Sequence, residues 1–484
     1  MKRVLFLLLT FVCVICKAVT FDVDGIRYAI ESQTSKEVSV AIIPKSISYP
    51  TYSTYKGDIN IPEYVSFNGA QYHVIGIGAH AFSECSQLGE IKLPTSIRFI
   101  GFGAFSYSNI GSISLHEGID SIGAAAFRDC HNLVSIVLPK SLKHLSSTVF
   151  MDCRNLKSVD FLTEEINSIP DDTFNGCSSL EDIVLPNTIK ELGKSAFMST
   201  DKLGTLHIPV SVEKIGSSCF YRCGATYLEI PDKVKVLEGE MFRGSKRLKT
   251  VKLPSSLESL TKQMFRGCDS LQNIVLPDNI TEIPSYCFAE CYQLSKVSFP
   301  ASLRNVVSNA FMNCSLSNVY LPEGTIAVDN EAFYGCPIDT LYLPSTLETI
   351  GGWSFSLRNL KELVLPASIK KIGSYAFDDV QLEKITCMWV TPISCEENVF
   401  KNETYLYAQL VVPNESIELY QSTTPWSSFF NISGHNLTGL TNNIHVKTCV
   451  KSYIDPEGIK SNKPYKGLNL IQYRNGEVKK VFIK

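Results

Sequence analysis

IVLPDNITEIPSYCFAECYQL, residues 274–294, contains the unit from which most of the chain is built. An apolar-x-apolar-Pro segment comes first, an Ile-x-x-Ile pair follows, then Cys-Phe, and finally Cys-x-x-Leu, which leads into the next unit. A repeat of this length is too short to bury its own apolar side. It becomes stable only when neighbours stack and their inward residues form one continuous core. The repeat therefore decides the fold, and function has to be sought on its surface.

Fifteen phenylalanines mark the repeat at steps of 22, 23 or 24 residues. This phenylalanine column consists of Phe82, Phe105, Phe127, Phe150, Phe174, Phe197, Phe220, Phe242, Phe265, Phe288, Phe311, Phe333, Phe355, Phe377 and Phe400. Each coil also carries an apolar-x-apolar triplet, whose outer residues should face the core and whose middle residue should face solvent. A second apolar pair, such as Ile369 and Ile372, predicts another short wall. The equivalent strands should lie parallel, about 4.8 Å apart, so that the stack would extend about 70 Å.

Composition indicates an ordered protein and argues against nucleic acid as a partner. Hydrophobic residues make up 44% of the chain and charged residues 19%, which is typical of a folded, soluble chain. The formal charge is −3, whereas binding to phosphate backbones needs a basic face.

The first residues, MKRVLFLLLTFVCVICKAVT, predict a signal peptide over residues 1–18. Lys2 and Arg3 form a basic start, residues 4–15 are apolar, and cleavage is expected after Ala18. The apolar run is shorter than the roughly 20 residues that span a bilayer. Ile15 is bulky where a lipoprotein signal has a small residue, which argues against a lipid anchor on Cys16. No later segment is long and apolar enough to cross a membrane, so the protein is expected to be exported.

The flanks of the repeat predict two caps and a small terminal domain. Residues 19–74 alternate apolar and polar positions and form a predicted N-terminal β cap, with a hairpin inserted at 67–70. The solenoid is predicted over residues 75–384. Residues 385–434 form a predicted C-terminal cap with one degenerate repeat, sealed by bulky residues at Tyr420, Trp426, Phe429 and Phe430. Residues 435–484 contain a polar linker and a small β domain of strands, with an Asn475-Gly476 hairpin.

The stretch SIGAAAFRDCHNLVSIVLPKSL, residues 121–142, resembles the BspA-like leucine-rich-repeat family of bacterial surface proteins. The resemblance covers residues 75–382, and the leader FDVDGIRYAI is similar to the usual start of such proteins. It implies a β-rich leucine-rich-repeat solenoid of short parallel strands, in coils of 22–24 residues, with N- and C-terminal β caps. It also implies a secreted or cell-surface protein that adheres to host extracellular proteins or to other bacteria.

The terminal piece resembles the C-terminal sorting domains of type IX secretion substrates. The matching features are Asp455 with Gly458, the run Lys466-Gly467-Leu468, and the closing segment KVFIK. Ile459 departs from that pattern, which has a basic residue there. The resemblance implies export by that route and association with the outer membrane. It does not decide between a terminal piece that is cleaved and one that anchors the protein.

Nine cysteines share one repeat position, three residues after the phenylalanine. They are Cys85, Cys130, Cys153, Cys177, Cys223, Cys268, Cys291, Cys314 and Cys336. Stacking could bring neighbours within the roughly 4.4–6.8 Å that a disulfide requires, and export would permit oxidation. An odd number cannot pair fully, however, and cysteine fits small core niches, which favours buried thiols. No histidine accompanies the closely spaced pairs at ligand spacing, so no metal site is predicted.

The sequence predicts no catalytic residues and no cofactor. The eight histidines are scattered, and none recurs beside a Ser or Cys and an acid in the pattern of a nucleophile. No phosphate-binding glycine loop, HExxH or GxSxG motif occurs. An enzyme is therefore not expected.

The candidate binding residues lie on the middle positions of the triplets, the exposed strand column. Tyr320 and Tyr342 stand on adjacent coils beside Val364, and Trp353 lies in the following turn; Lys296 and Tyr227 could extend this patch. Exposed aromatic residues often mark binding surfaces, although aromatic and β-branched residues also suit strands for structural reasons. The predicted function is adhesion to extracellular protein ligands; capture of glycans and a purely structural spacer are the alternatives.

Overall fold

A computed structural model describes residues 19–46, 49–355, 359–377, 382–395 and 398–436, together with four short strands in the last 35 residues. The chain divides into two compact units, Met1–Ser211 and Val212–Lys484. Each unit is a β-solenoid of short parallel strands, which confirms the predicted fold class. The signal peptide, the linker, Asp455, Gly458, Ile459 and the Asn475-Gly476 turn lie outside the described residues.

The first wall of each coil, here the strand ladder, is built from the apolar triplets. In the first unit it contains Gly57–Asn60, Leu88–Lys92, Ser135–Leu138, Ser158–Phe161 and Asp182–Ile183. In the second unit it contains Tyr227–Glu229, Thr250–Lys252, Asn273–Val275, Lys296–Ser298, Asn318–Tyr320, Thr340–Tyr342, Glu362–Leu365, Lys384–Cys387, Gln409–Pro413 and Asn431–His435. The paired strands are parallel and in register. The triplets at 113–115 and 206–208 bury their outer residues as predicted but do not form strands of the ladder.

Two-residue strands form the second wall, which the Ile-x-x-Ile pairs predicted. The first unit contains Phe99–Ile100, Ser121–Ile122, His144–Leu145, Ser168–Ile169 and Glu191–Leu192. The second unit contains Lys214–Ile215, Glu282–Ile283, Asn305–Val306, Ala327–Val328, Thr349–Ile350 and Lys371–Ile372. In each case the second residue of the strand points into the core or close to it, while the first stays nearer to solvent.

The phenylalanine column forms the third wall and is buried throughout. Neighbouring rings stack with centroids 5.2–5.8 Å apart in the first unit. In the second unit the centroids are 4.9–5.8 Å apart. Such stacked arrangements add to the free energy gained from burial of the rings. The predicted position of the phenylalanines at the closure of the core is therefore confirmed.

Left-handed residues on both sides of most column phenylalanines give this wall its own hydrogen-bond ladder. In one coil Tyr286 and Glu290, two residues before and after Phe288, have φ of +57° and +64°. The backbone N–H groups of these three residues donate to the carbonyls of the next coil, at 3.3, 2.8 and 2.8 Å. The alternation turns every second N–H toward the following coil, so the backbone is satisfied without extended strands.

The cysteine position has a hydrogen-bonding role that the sequence did not indicate. Cys268 Sγ donates to the carbonyl of Phe242 in the preceding coil at 3.0 Å, and Cys291 does the same to Phe265 at 3.1 Å. Ser245 Oγ fills the equivalent slot and donates to the Phe220 carbonyl at 2.8 Å. In these coils the slot therefore selects a small donor, which explains the serine at 245. Thr200 Oγ1 donates to the Phe197 carbonyl of its own coil at 2.9 Å.

All nine of these thiols are buried, as the sequence favoured, and none of the nine forms a disulfide. Burial raises the pKa of the Cys130 thiol to about 12. It also raises the pKa of the Cys153 and Cys268 thiols well above the usual value. Because only the thiolate is a good nucleophile, these cysteines serve packing rather than chemistry.

The N-terminal cap is a mixed sheet that continues into the second wall; its pairs are antiparallel except that of Glu37–Val40 with Ala70–Ile77, which is parallel. Its strands are Thr20–Val23, Ile26–Ser32, Glu37–Val40, Tyr64–Phe67 and Ala70–Ile77, and a separate hairpin joins Pro44–Ser46 to Tyr49–Ser53. The Phe67–Ala70 hairpin lies where it was predicted. Ala70–Ile77 pairs with Phe99–Ile100, so the cap covers the edge of the first coil.

The C-terminal cap contains helices, which corrects the expectation of an all-β cap. Helices Asn402–Tyr407 and Ile417–Ser422 and the 3-10 turns Asn414–Ser416 and Trp426–Ser428 lie between the last ladder strands. Trp426 is fully buried against Trp389, and its Nε1 donates to the Ile393 carbonyl at 2.7 Å. Phe430, by contrast, is 86% exposed and does not seal the cap.

The last described strands form a separate antiparallel sheet. They are Val450–Ile454, Lys460–Ser461, Gly467–Tyr473 and Val478–Ile483. The central strand Gly467–Tyr473 pairs with both Val450–Ile454 and Val478–Ile483. The expected strand order of the terminal piece is thus present.

The column predicts the cost of removing one ring. Phe265 is fully buried between Phe242 and Phe288, so Phe265→Ala should lower the free energy of unfolding by about 3–5 kcal/mol. Because contacts in a solenoid are local, hydrogen exchange should accelerate mainly in the neighbouring coils. Val275→Ala, at a 67% exposed position, is the control and should leave the urea midpoint nearly unchanged. An unchanged midpoint for Phe265→Ala would contradict the repeat register.

Candidate functional site

The exposed strand column divides into two parts by accessibility. Nine members are exposed, as alternation predicted: Lys92, Ser114, Val137, Asp160, Val184, His207, Glu229, Lys252 and Val275. The last four, Ser298, Tyr320, Tyr342 and Val364, are only half-buried. The surface formed by these later coils is therefore more closely packed than the sequence suggested.

Tyr320 and Tyr342 lie directly opposite each other in register, on the strands Asn318–Tyr320 and Thr340–Tyr342. The Tyr342 hydroxyl donates to Glu323 Oε1 at 2.9 Å. Glu323 also accepts hydrogen bonds from the backbone N–H and the hydroxyl of Ser345. Tyr342 is thus held in place beside Tyr320, and both residues remain partly accessible.

The other predicted residues have strand partners or hydrogen bonds of their own. Val364 is in register with Thr386 of the strand Lys384–Cys387, and Lys296 is opposite Asn273. Tyr227 is 39% exposed, and its hydroxyl donates to Glu229 Oε2 at 3.0 Å. Tyr320 and Tyr342 are thus paired with each other, and the grouping of the other three residues with them stays a prediction.

Trp353 belongs to a different surface, beside the phenylalanine column. It stacks on Tyr375, with centroids 4.5 Å apart and planes inclined by 23°. Tyr334 meets Trp353 edge-on at 6.3 Å. These three residues, here the aromatic cluster, are 37–39% exposed. Trp353 and Tyr375 both stand two residues before a column phenylalanine, and that shared repeat position is the sequence signal that could have revealed their contact.

A cleft of about 680 Å³ opens beside Trp353. Its lining is mostly backbone and small polar side chains: Ser308, Asp329, Asn330, Glu331, Thr349, Ile350, Gly351, Gly352, Trp353, Lys371, Ile372, Gly373 and Ser374. A Cβ on Gly351 would lie 2.3 Å from the Asn330 nitrogen, and one on Gly373 would lie 2.4 Å from the Gly352 nitrogen. Adjacent coils therefore meet backbone to backbone here, and glycine is required.

Asp329 is the unusual polar group of this cleft. Its side chain is half-buried, and it has no hydrogen-bond or ion-pair partner among the described residues. Burial raises the pKa of its carboxyl above the usual value, with no neighbouring cation to offset this. Glu331 and Lys371 are the other charged groups of the lining. Asn309 Nδ2 donates to Glu331 at 2.9 Å, so that carboxylate is engaged with the preceding coil.

Two further observations bear on chemistry. Within the described part of the chain, no three His, Cys, Asp or Glu side chains come together as metal ligands would. The described helices are all too short, or too polar, to cross a bilayer. The arrangement as a whole offers surfaces that can bind, namely the tyrosine pair and the cleft.

The repeat matches one known family. The profile of the BspA type leucine rich repeat region matches in six copies, over residues 63–178, 167–295 and 281–407. These matches extend over more than half of the chain. A sequence comparison with curated proteins returns no match.

Three solved structures are similar to this one. A leucine-rich repeat protein from Bacteroides ovatus is 21% identical, with 86% of this chain and 100% of that chain covered and a TM-score of 0.44. A leucine rich cell surface protein from Faecalibacterium prausnitzii is 18% identical, with coverages of 86% and 95% and a TM-score of 0.42. The pneumococcal vaccine antigen PcpA is 18% identical, with coverages of 87% and 98% and a TM-score of 0.41.

The unpartnered carboxylate predicts a pH-dependent stability difference. Because the folded pKa of Asp329 is raised, its charge destabilises the fold above that pKa. Asp329→Asn should therefore raise the melting temperature at pH 7. The gain should disappear as the pH falls below the unfolded Asp pKa of about 3.9, where both states are neutral.

The measurement is thermal unfolding of the wild type and the variant between pH 3 and pH 8. Asp160→Asn, at an exposed position of the strand ladder, is the matched control and should show little difference at any pH. A lower melting temperature for Asp329→Asn at pH 7 would mean that the carboxylate has a stabilising partner.

Proposed function

Because the chain belongs to the family of BspA type leucine rich repeat regions, we propose that it is an exported cell-surface protein that binds an extracellular protein ligand. The proposal assigns no catalysis. The observation that carries it is the pair Tyr320–Tyr342, two rings in register on the outer side of the strand ladder. Binding free energy usually comes from a few rigid aromatic residues rather than from the whole contact area.

The surroundings of the pair suit a protein ligand. Tyr342 is anchored by Glu323, so its ring loses little further freedom when a partner packs on it. The neighbouring coils add exposed charged groups, including the ion pair of Lys361 with Glu383 at 2.9 Å. An aromatic centre with a polar, charged rim is the usual composition of a protein interface.

Removal of both rings should weaken binding without unfolding the solenoid. Tyr320→Ala combined with Tyr342→Ala should weaken binding of the protein ligand by more than about 1 kcal/mol, because aromatic residues supply much of the binding free energy. The solenoid should stay folded, because both tyrosines are half-buried surface residues and not core residues. Binding to a panel of host matrix proteins and to bacterial cells, and thermal unfolding, should be measured on the same preparation.

Two controls keep this test specific. Tyr342→Phe keeps the ring and removes the hydroxyl that anchors it to Glu323, so it should weaken binding less than Tyr342→Ala does. Val184→Ala with Val275→Ala alters two exposed members of the same column and should change neither binding nor stability. If the tyrosine variant melts much earlier and still binds, the rings serve the sheet and the ligand binds elsewhere.

The alternatives drawn from the sequence predict different results in one experiment. A glycan array tested beside the panel of matrix proteins separates them. Binding to proteins alone favours adhesion, and binding to glycans alone favours a carbohydrate-capturing protein. Binding to neither favours a structural spacer. The proposed adhesin requires at least one protein hit.

The proposed route of export uses the terminal β domain. Its strands pair with one another in a sheet of their own, which supports a module that can be removed without damage to the coils. Deletion of residues 450–484 should leave the solenoid folded but should prevent its normal delivery to the surface. Fractionation of cells, followed by circular dichroism of the retained protein, measures both effects.

A deletion of the same size inside the N-terminal cap is not a suitable control, because that sheet continues into the second wall. A better control exchanges the terminal domain for an unrelated small β domain. Normal surface delivery of the truncated protein would make the terminal piece an ordinary domain and would remove this part of the proposal.

A further inference from the structure

We propose that the cleft beside Trp353 is a second binding site, specific for carbohydrate, in which a sugar ring packs on the exposed part of Trp353 while Asp329 and Asn330 bind its hydroxyl groups. This inference goes beyond the proposed protein binding at Tyr320 and Tyr342, because the two sites lie on different walls of the coils. It does not require the protein-binding proposal to be correct.

The aromatic cluster leaves part of Trp353 accessible. Tyr375 stacks on one side of the indole at 4.5 Å, and Trp353 is nevertheless 39% exposed. Tyr334 of the preceding coil meets the indole edge-on at 6.3 Å, so the accessible part is the area that Tyr375 and Tyr334 leave uncovered. The equivalent repeat position of the preceding coil holds Glu331, a smaller side chain that Asn309 holds toward its own coil. An indole backed by a second ring is a rigid, flat support for the C–H face of a sugar ring.

The polar groups beside this support suit hydroxyl groups. Asn330 Oδ1 accepts the Gly352 N–H at 2.7 Å, which fixes the amide and directs its NH₂ group elsewhere. No described residue accepts from that NH₂ group or donates to the Asp329 carboxylate. Asp329 can thus accept and Asn330 can donate to neighbouring hydroxyls of one sugar. A half-buried carboxylate without a partner is costly, and a hydroxyl donor would relieve that cost.

The rest of the lining favours a neutral ligand over a peptide. Apart from Asp329, the charged side chains are Glu331, already engaged with Asn309, and the exposed Lys371. The cleft offers glycine backbone and the small polar residues Ser308, Thr349 and Ser374, with no deep apolar pocket for a peptide side chain. A carbohydrate, which combines polar hydroxyls with one apolar face, fits this combination better than a cationic peptide does.

Tryptophan fluorescence can test the site directly in the full protein. Of the three tryptophans, Trp389 and Trp426 are 4% and 0% exposed, so solvent-dependent changes in emission report on Trp353. The protein would be titrated with neutral hexasaccharides of glucose, mannose, galactose and N-acetylglucosamine, chosen from glycan-array hits, and with tetralysine as a cationic counter-probe. We expect a saturable change in emission with at least one hexasaccharide and none with tetralysine.

Variants then assign the response to named residues by calorimetry with the same hexasaccharide. Trp353→Ala should weaken binding by about tenfold or more. This substitution is tolerable in the left-handed backbone, because Ala125 occupies the equivalent position with the same φ of +56°. Asp329→Ala should also weaken binding. Tyr286→Ala is the matched control, since Tyr286 has the same repeat position as Trp353 and a φ of +57°. Tyr286 contacts Arg266, and Pro284 and Ser285 precede it where Gly351 and Gly352 precede Trp353.

The outcomes separate this inference from the proposed function. Loss of glycan binding in Trp353→Ala, with protein binding intact and the melting temperature unchanged, supports the carbohydrate site. Equal affinity of Trp353→Ala and wild type for the hexasaccharide overturns it. An emission change that occurs only with tetralysine, or no emission change with any of the probes, also overturns it. Loss of protein binding in the Tyr320 and Tyr342 variant concerns only the other site.

Discussion

The stacking of one coil on the next is the constraint on which the whole structure depends. Each ring of the phenylalanine column lies against the next at 4.9–5.8 Å within a unit, and the strand ladder keeps its own spacing of about 4.8 Å. All walls must advance by nearly the same distance per coil. The left-handed residues around most column phenylalanines meet this demand, because they let the third wall bond to the next coil through N–H groups that all point one way.

This constraint divides the residues of a coil into fixed and free positions. The column phenylalanine, the small donor that reaches its carbonyl, and the outer residues of the triplet have little freedom, because each contacts its equivalents in two neighbouring coils. The middle of the triplet faces outward or is half-buried, and it holds Val184 in one coil and Tyr342 in another. The position two residues before the phenylalanine varies as well, from the buried Ala125 to Trp353, which is 39% exposed. Binding surfaces can therefore change without changing the core.

The repeat made the core predictable, whereas the candidate sites depend on features without a period. Strand alternation placed Ile274 inside and Val275 outside correctly, since a buried triplet has only one arrangement. The left-handed backbone was not foreseen because His80, Thr148 and Trp353, which adopt it, share no chemistry. The cap helices were missed because their sequence follows no repeat. Trp353 was grouped with Tyr342 by its closeness in the chain, although it meets Tyr375 across coils.

The cleft beside Trp353 contains residues that the repeat pattern does not explain. Glycine after the second wall is common in this chain, as at Gly101 and Gly123, so glycine alone does not explain the cleft. What sets it apart is a half-buried, unpartnered Asp329 beside an indole that stacks on Tyr375 and is still 39% exposed. The buried carboxylate lowers stability relative to a neutral residue, and a fold that is consistent elsewhere retains such features mainly at functional sites. Because contacts in a solenoid are local, that cost stays within a few coils.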